Sequence, residues 1–304
     1  MSLTPAVSIC IPAYQAQRHL ATTMRFVLAQ TCPDLEIVVL DNASTDDTSE
    51  IVRRMADHRV RLVRNDVVLS LADNWNRAVE LSRGDLVKVV CADDLVHPEI
   101  VRRQRAVMDA DGGVAVVAHR RHLIDDDGVL IAAGTGLRRL VGRFDGRTVA
   151  TRVVRDGGNP IGESASVMFR RAHFDTVGGF SNRLQFPMDL ELWVKLLRHG
   201  DFTGLPEPMA AFRASAGSLS SRRLRVQYDE QRQLSREIAA DPHWNVRRVD
   251  RMLGQLGAQL ARGRRELVFL AARHPGHHAL SKVMAGPDSA WMAEPRTSDG
   301  PVNR

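Results

Sequence analysis

The first 110 residues alternate short apolar runs with amphipathic helical stretches, and no other feature of the chain restricts its fold as strongly. Val7–Ile11, Glu36–Leu40, Val60–Arg64 and Leu86–Val90 read as strands; Arg18–Gln30, Asp46–Asp57 and Asn74–Ser82 between them carry helical periodicity. A strand buried on both faces shows no polar alternation, and a parallel neighbour needs a helical crossover, so the pattern signifies βαβ units. The predicted fold class is α/β, with a mixed, mainly parallel sheet flanked by helices. Pro98 suits a helix start, which predicts a helix over Pro98–Asp109 and then a strand over Val114–Ala118.

Beyond residue 120 the pattern loosens. Asp125–Gly128 marks a turn, and the glycine-rich stretches 134–146 and 156–162 mark loops. Ser166–Phe169 reads as a strand, Leu190–Leu197 as an apolar helix, and Pro206 and Pro208 as the brackets of a turn. From Arg222 to about Arg273 the chain is helix-forming, with a break near Asp241-Pro242 and with Met252, Leu253, Leu256 and Leu260 on one face. The expected organisation is a sheet domain over 1–221, a helical extension over 222–284, and a tail over 285–304 that has little to bury.

At 304 residues the chain can bury a large core without disulfide or metal staples. Its formal charge is +6, but acidic and basic side chains balance up to residue 221 and the surplus falls entirely in the helical extension. A nucleic-acid partner is therefore not expected. Arg222, Arg223, Arg225, Arg247, Arg248, Arg251, Arg262, Arg264 and Arg265 read first as solvated helix surface and second as peripheral contact with an anionic membrane. Cys10, Cys32 and Cys91 form no metal or redox spacing, and no apolar run approaches the ~18 residues of a membrane span. Reduced thiols and a cytoplasmic setting, at most peripheral to the inner membrane face, are the expectation.

In parallel α/β sheets ligands collect beyond the carboxyl ends of the strands. The first strand runs into Pro12-Ala13-Tyr14, without the glycines of a dinucleotide or phosphate loop. The second ends in Asp41-Asn42-Ala43-Ser44-Thr45-Asp46-Asp47, where turn and capping chemistry accounts for the later residues but not for Asp41, a candidate acceptor for base or ribose donors. The fourth ends in Cys91-Ala92-Asp93-Asp94. Adjacent carboxylates there are either solvated loop residues or a site for a divalent cation and phosphate oxygens. Asp189, in the first turn of the apolar helix, is either a cap or a general base. Glu163 either holds an acceptor hydroxyl or bonds local main-chain amides. His119 and His122, flanking Arg120 and Arg121, lack a third metal ligand and read as solvated surface.

Taken in order, V-S-I-C-I-P-A-Y, V-V-L-D-N-A-S-T-D-D-T, A-D-D-L-x-x-P, G-G-F and D-L-E-L-W resemble glycosyltransferase family 2 over roughly residues 5–221. Those enzymes have a GT-A fold and transfer sugars from nucleotide-sugars with inversion. The resemblance implies that Pro12, Ala13 and Tyr14 surround the base and ribose, and that Asp41 contacts the base. It sets Asn65 and the Asp73-Asn74-Trp75-Asn76 segment near the nucleotide. It gives Asp93 to the ribose, Asp93 and Asp94 to Mn²⁺ or Mg²⁺ on the diphosphate, and Asp189 to the catalytic base. Gly178-Gly179-Phe180 is mainly structural.

The chain departs from the common family pattern at Cys91 and Met188, where many relatives carry acidic residues, and at Ser215, where many carry histidine. A diphosphate contact at that last place would fall to Arg213 or Ser218. The implied donor is a nucleotide-sugar, a UDP-sugar by default; the acceptor is a saccharide, a lipid-linked species or a small molecule. Two alternatives accompany this reading: a nucleotide-sugar-binding module without turnover, and a nucleotidyltransferase.

Overall fold

The computed structural model describes residues 5–214, 224–273 and 287–292. Its first half follows the apolar pattern: β1 (Val7–Ala13), α1 (Leu20–Leu28), β2 (Leu35–Asp41), α2 (Thr48–Arg53), β3 (Val60–Arg64), α3 (Leu71–Glu80) and β4 (Leu86–Val89). These strands lie in the order β3-β2-β1-β4, all parallel, with β1 buried along its whole length. Their carboxyl ends therefore share one edge, where the loops after Ala13, Asp41, Arg64 and Val89 converge.

The second half supplies β5 (Leu95–Val96), α4 (Ile100–Ala110), β6 (Val114–Ile124), β7 (Leu130–Thr135), β8 (Gly142–Phe144), α5 (Gly146–Asp156), β9 (Val167–Arg170), α6 (Arg171–Val177), α7 (Met188–Leu196) and β10 (Asp201–Arg213). Antiparallel β9 joins β4 to β6; β10 then runs parallel to β6 and antiparallel to β5 and β8. The sheet is mixed α/β, as the periodicity predicts.

Pro206 and Pro208, expected to bracket a turn, lie inside β10 instead. The register with β6 shifts between Leu205 and Pro208 and again between Pro208 and Ala210. Such irregularity removes the demand for a main-chain donor that proline cannot meet. The predicted loop 134–146 likewise contains β8. It also leads into α5, which Asp145 caps by accepting from the Thr148 amide at 3.0 Å and which Gly157 ends in the left-handed conformation.

Helices α8 (Leu224–Ala240) and α9 (Arg248–Arg273) follow, with the break near Asp241 as expected. The face of α9 that packs is not the apolar one. Met252, Leu256 and Leu260 are exposed, whereas Gly254 and Gly257 lie so close to α5 that a Cβ on either would stand 2.4 Å from the carbonyl oxygens of Val154 and Arg155. Small residues win the interface because they alone permit that approach. Residues 287–292, within the segment expected to bury little, form a 3₁₀ turn whose Trp291 meets the rings of Phe26 and His97 edge-on.

Candidate active site at the carboxyl ends of the strands

The loop after β1 is bound to the loop after β2. The Gln15 amide donates to Ser44 Oγ at 3.0 Å, the Ala16 amide to Thr48 Oγ1 at 2.8 Å and the Gln17 amide to Asp46 Oδ2 at 3.0 Å. Gln15 and Ala43 both adopt positive φ, a strain that the surrounding bonds hold in place. Pro12 and Ala13 are buried, and the Tyr14 ring stands exposed above them.

Asp41 is fully buried. Its Oδ1 accepts from the Ser44 amide at 2.9 Å; its Oδ2 accepts from the Ser49 hydroxyl and from Arg64 Nη1 at 2.7 Å. The sequence left Asp41 without a structural role, and these bonds supply one: the carboxylate ties the ends of β2 and β3 to α2. Behind it, Asn65 Nδ2 donates to Asn42 Oδ1 at 2.9 Å and to Asn74 Oδ1 at 3.0 Å, while the buried Asn65 Oδ1 has no partner. Asn76 brackets Phe180, accepting from its amide at 2.8 Å and donating to its carbonyl at 2.9 Å. That holds the Phe180 ring edge-on to Trp75.

The loop after β4 carries the carboxylates. Cys91 Sγ and one oxygen each of Asp93 and Asp94 lie within 4.8 Å of one another. Burial pushes Asp94 well above the ordinary carboxylate range, the adjacent Asp93 charge adding to the effect, and burial also raises Asp93. Asp94 Oδ1 accepts from the Arg213 amide at 3.0 Å, but its buried Oδ2 has no partner. A carboxylate oxygen left unpaired in the interior is costly until a cation completes it, and paired oxygens suit Mg²⁺ or Mn²⁺. Cys91 does not belong to such a ligand set: burial holds its thiol well up and protonated, and a thiol is a poor ligand for a hard cation.

Arg213, a candidate for the diphosphate, is turned inward. Its Nε donates to the Asp93 carbonyl at 2.9 Å and its Nη1 to the carbonyls of Asp125 and Asp126 at 2.7 and 2.9 Å. The guanidinium braces the carboxylate loop. Ser218, with Ser215, Arg222 and Arg223, lies outside the described residues.

Asp189 occupies the first turn of α7, where the N-cap residue is Pro187, which makes no side-chain cap bond. Among the described residues the carboxylate's one hydrogen bond is from the Leu190 amide, at 2.6 Å, and burial pushes it up to about 6. The carboxylate thus satisfies one free first-turn amide of α7, a bond that both the cap and the base reading accommodate. Glu191 faces elsewhere, paired with Lys195 at 3.0 Å and Arg183 at 3.2 Å.

Glu163 does not bond local amides; it pairs with Arg121, Oε1 accepting from Nη2 at 2.9 Å and Oε2 meeting Nε. Its loop is fixed to α7 by Trp193 Nε1, which donates to the Gly162 carbonyl at 3.1 Å. Arg121 is buried and lies within electrostatic reach of both Asp94 and Asp189. Sequence reading missed it because the His-Arg-Arg-His run resembles surface. The histidines are not solvated either: His119 and His122 are fully buried, His119 Nδ1 lies 3.1 Å from the Glu207 carbonyl, and burial drives it down to about 3.

Comparison with known proteins places the chain among the glycosyltransferases. Residues 8–178 match the model of glycosyl transferase family 2. The uncharacterized protein MT1568 of Mycobacterium tuberculosis is 32% identical over 224 residues, covering 72% of this chain and 70% of that protein. Among solved structures, S. aureus TarS 1–349 in complex with UDP-GlcNAc has a TM-score of 0.60 at 17% identity, over 91% of this chain and 74% of that one. The mannosyltransferase PcManGT from Pyrobaculum calidifontis, in complex with GDP-Man and Mn²⁺, has a TM-score of 0.62 at 19% identity, over 96% and 84%. The chain belongs to glycosyl transferase family 2, and the protein is a glycosyltransferase with the GT-A fold. No helix among the described residues is long and apolar enough to cross a membrane.

Proposed function

We propose that the protein transfers a sugar, with inversion, from a nucleotide-diphosphate sugar to an acceptor hydroxyl, the donor being a UDP-sugar. The observation that carries this reading is Asp189: a buried carboxylate in a helix's first turn whose one hydrogen bond among the described residues is to its neighbour's amide, and which burial raises to about 6. A base with that value is ionised at neutral pH yet basic enough to take a hydroxyl proton as the hydroxyl attacks the anomeric carbon. Pro12, Ala13, Tyr14 and the strand ends around Asp41, Asn65 and Asn74 would hold base and ribose. Asp93 and Asp94 would hold Mn²⁺ or Mg²⁺, which when bound supplies charge stabilisation for the departing diphosphate.

Arg213 keeps Asp93 and Asp94 in place without occupying the phosphate position itself. Glu163, neutralised by Arg121, orients that arginine beneath the acceptor side, so that Asp189 keeps its proton affinity without a direct ion pair. A thermal-shift screen of nucleoside diphosphates and nucleotide-sugars with Mn²⁺ tests the reading, since a site ligand stabilises the fold by mass action. Selective stabilisation by UDP and a UDP-sugar is the expected result; no response to any nucleotide would sink it.

A further inference from the structure

A cavity of about 810 Å³ opens between β6–β7 on one side and α8–α9 on the other, with Arg121 and Glu163 in its floor. Its walls carry six arginines, Arg120, Arg121, Arg138, Arg262, Arg264 and Arg265, against three carboxylates. Those carboxylates are already engaged. Glu163 pairs with Arg121, Glu266 accepts from Arg262 at 2.8 Å, and Asp156 accepts from Arg152 at 3.1 Å. Arg120, Arg138 and Arg264 have no carboxylate within 4.0 Å among the described residues, and Arg120 Nε and Arg121 Nη1 are buried with no hydrogen-bond partner.

We infer that this cavity is the acceptor chamber and that it takes an acceptor bearing a phosphate or diphosphate group next to the hydroxyl that receives the sugar. The inference rests on the transferase reading above. Three uncompensated guanidinium groups facing one space repel one another, and a multivalent oxyanion matches both their charge and their forked donors, which a single carboxylate does less well. The floor is built for the purpose. Gly136 adopts φ +92°, and a Cβ there would stand 2.1 Å from Arg121 Nη1, so the absence of a side chain gives the guanidinium its place. The volume falls in the range of sites that enclose a small organic ligand. Arg121 in the floor lies within electrostatic reach of Asp189, and Trp193 Nε1 ties the Glu163 loop to α7 at 3.1 Å, so an anion held on these arginines lies beside the loop that meets the Asp189 helix.

The test is isothermal titration of the intact protein with geranyl diphosphate and, separately, inorganic pyrophosphate. Both titrations are done in EDTA so that the Asp93–Asp94 pair holds no cation. Wild type is compared with the double variant Arg138→Glu/Arg264→Glu, both exposed positions, and with Arg120→Gln, which removes a charge without reversing it; thermal melts check that each variant folds. Both probes should bind wild type, more weakly as salt rises. The double reversal should cost about tenfold or more in affinity, as expected for charges at close range in a partly enclosed site. Tighter binding of geranyl diphosphate than of pyrophosphate supports a lipid-linked source, and equal binding a soluble phosphorylated acceptor. Donor hydrolysis, assayed separately on wild type, reports on the transferase reading by itself. Absence of probe binding, or binding that both variants leave unchanged, overturns the assignment.

Discussion

The main-chain amide of Arg213 donates to Asp94 Oδ1 at 3.0 Å, so β10, the last strand of the sheet, ends on the carboxylate pair. The Arg213 side chain closes the same joint through the carbonyls of Asp93, Asp125 and Asp126. Arg213→Ala leaves those three carbonyls without their donor and should destabilise the protein by about 2–4 kcal/mol. Urea unfolding measures that loss. Metal-dependent nucleotide binding should weaken in the same variant; an unaltered unfolding midpoint would mean that the brace is dispensable.

Asp94→Asn separates the carboxylate from its carbonyl geometry. Calorimetry with UDP should show that Mn²⁺ strengthens binding to wild type and does little for the variant. Because burial raises Asp94, protons compete with a cation for its carboxylate more strongly than at an ordinary carboxyl. More Mn²⁺ should therefore be needed for the same strengthening as the pH is lowered, and proton release should be visible as a buffer-dependent heat.

Asp189→Asn should lower transfer by about 10²–10⁴-fold while nucleotide binding persists. In wild type, with the carboxyl at about 6, transfer should fall as the pH drops through that value, since the protonated acid cannot serve as base. Stability runs the other way. A carboxyl raised from an ordinary value of about 3.8 to about 6 on folding favours the fold fully below the lower value and loses that contribution as pH rises through the upper one. The amide removes a charge that is unfavourable to bury, so the variant should melt higher than wild type at pH 8, by a margin that narrows as the pH falls and closes below about 3.8. An unchanged rate in the variant would discard Asp189 as the base.

Asp41→Ala should act first on the fold. The carboxylate is buried and serves Ser44, Ser49 and Arg64, and losing those bonds should cost about 1–3 kcal/mol, the half-exposed Arg64 keeping the figure below that of a wholly buried pair. Melting temperature and UDP affinity measured side by side tell a structural tie from a base contact. A variant that melts like wild type and binds UDP poorly would favour the base contact alone.

The parallel half of the sheet is legible because β1, β2 and β4 are buried on both faces, and a mainly apolar run is what such burial selects. The positions of Asp93 and Asp94 follow from it, since they stand in the loop after β4. β10 was not legible: Pro206 and Pro208 signal a break locally, and only the shifted pairing with β6 explains why a strand tolerates them. Arg121 and its cavity were hidden for a different reason. Their partners, Glu163 and α9, are far away in the chain, and pairing across that distance leaves no periodic trace. The apolar stripe of α9 misled in the same way, because Gly254 and Gly257 make the contact that the leucines promised.

Those two glycines carry a consequence for selectivity. They set how near α9 lies to α5, and α9 is one wall of the arginine-lined cavity, so the aperture is gauged one to three turns along the helix from the arginines that meet a ligand. A methyl group at either place would push the wall outward and leave every guanidinium in the lining intact. Ligand size and ligand charge are thereby governed by separate sets of residues, and each can drift without disturbing the other.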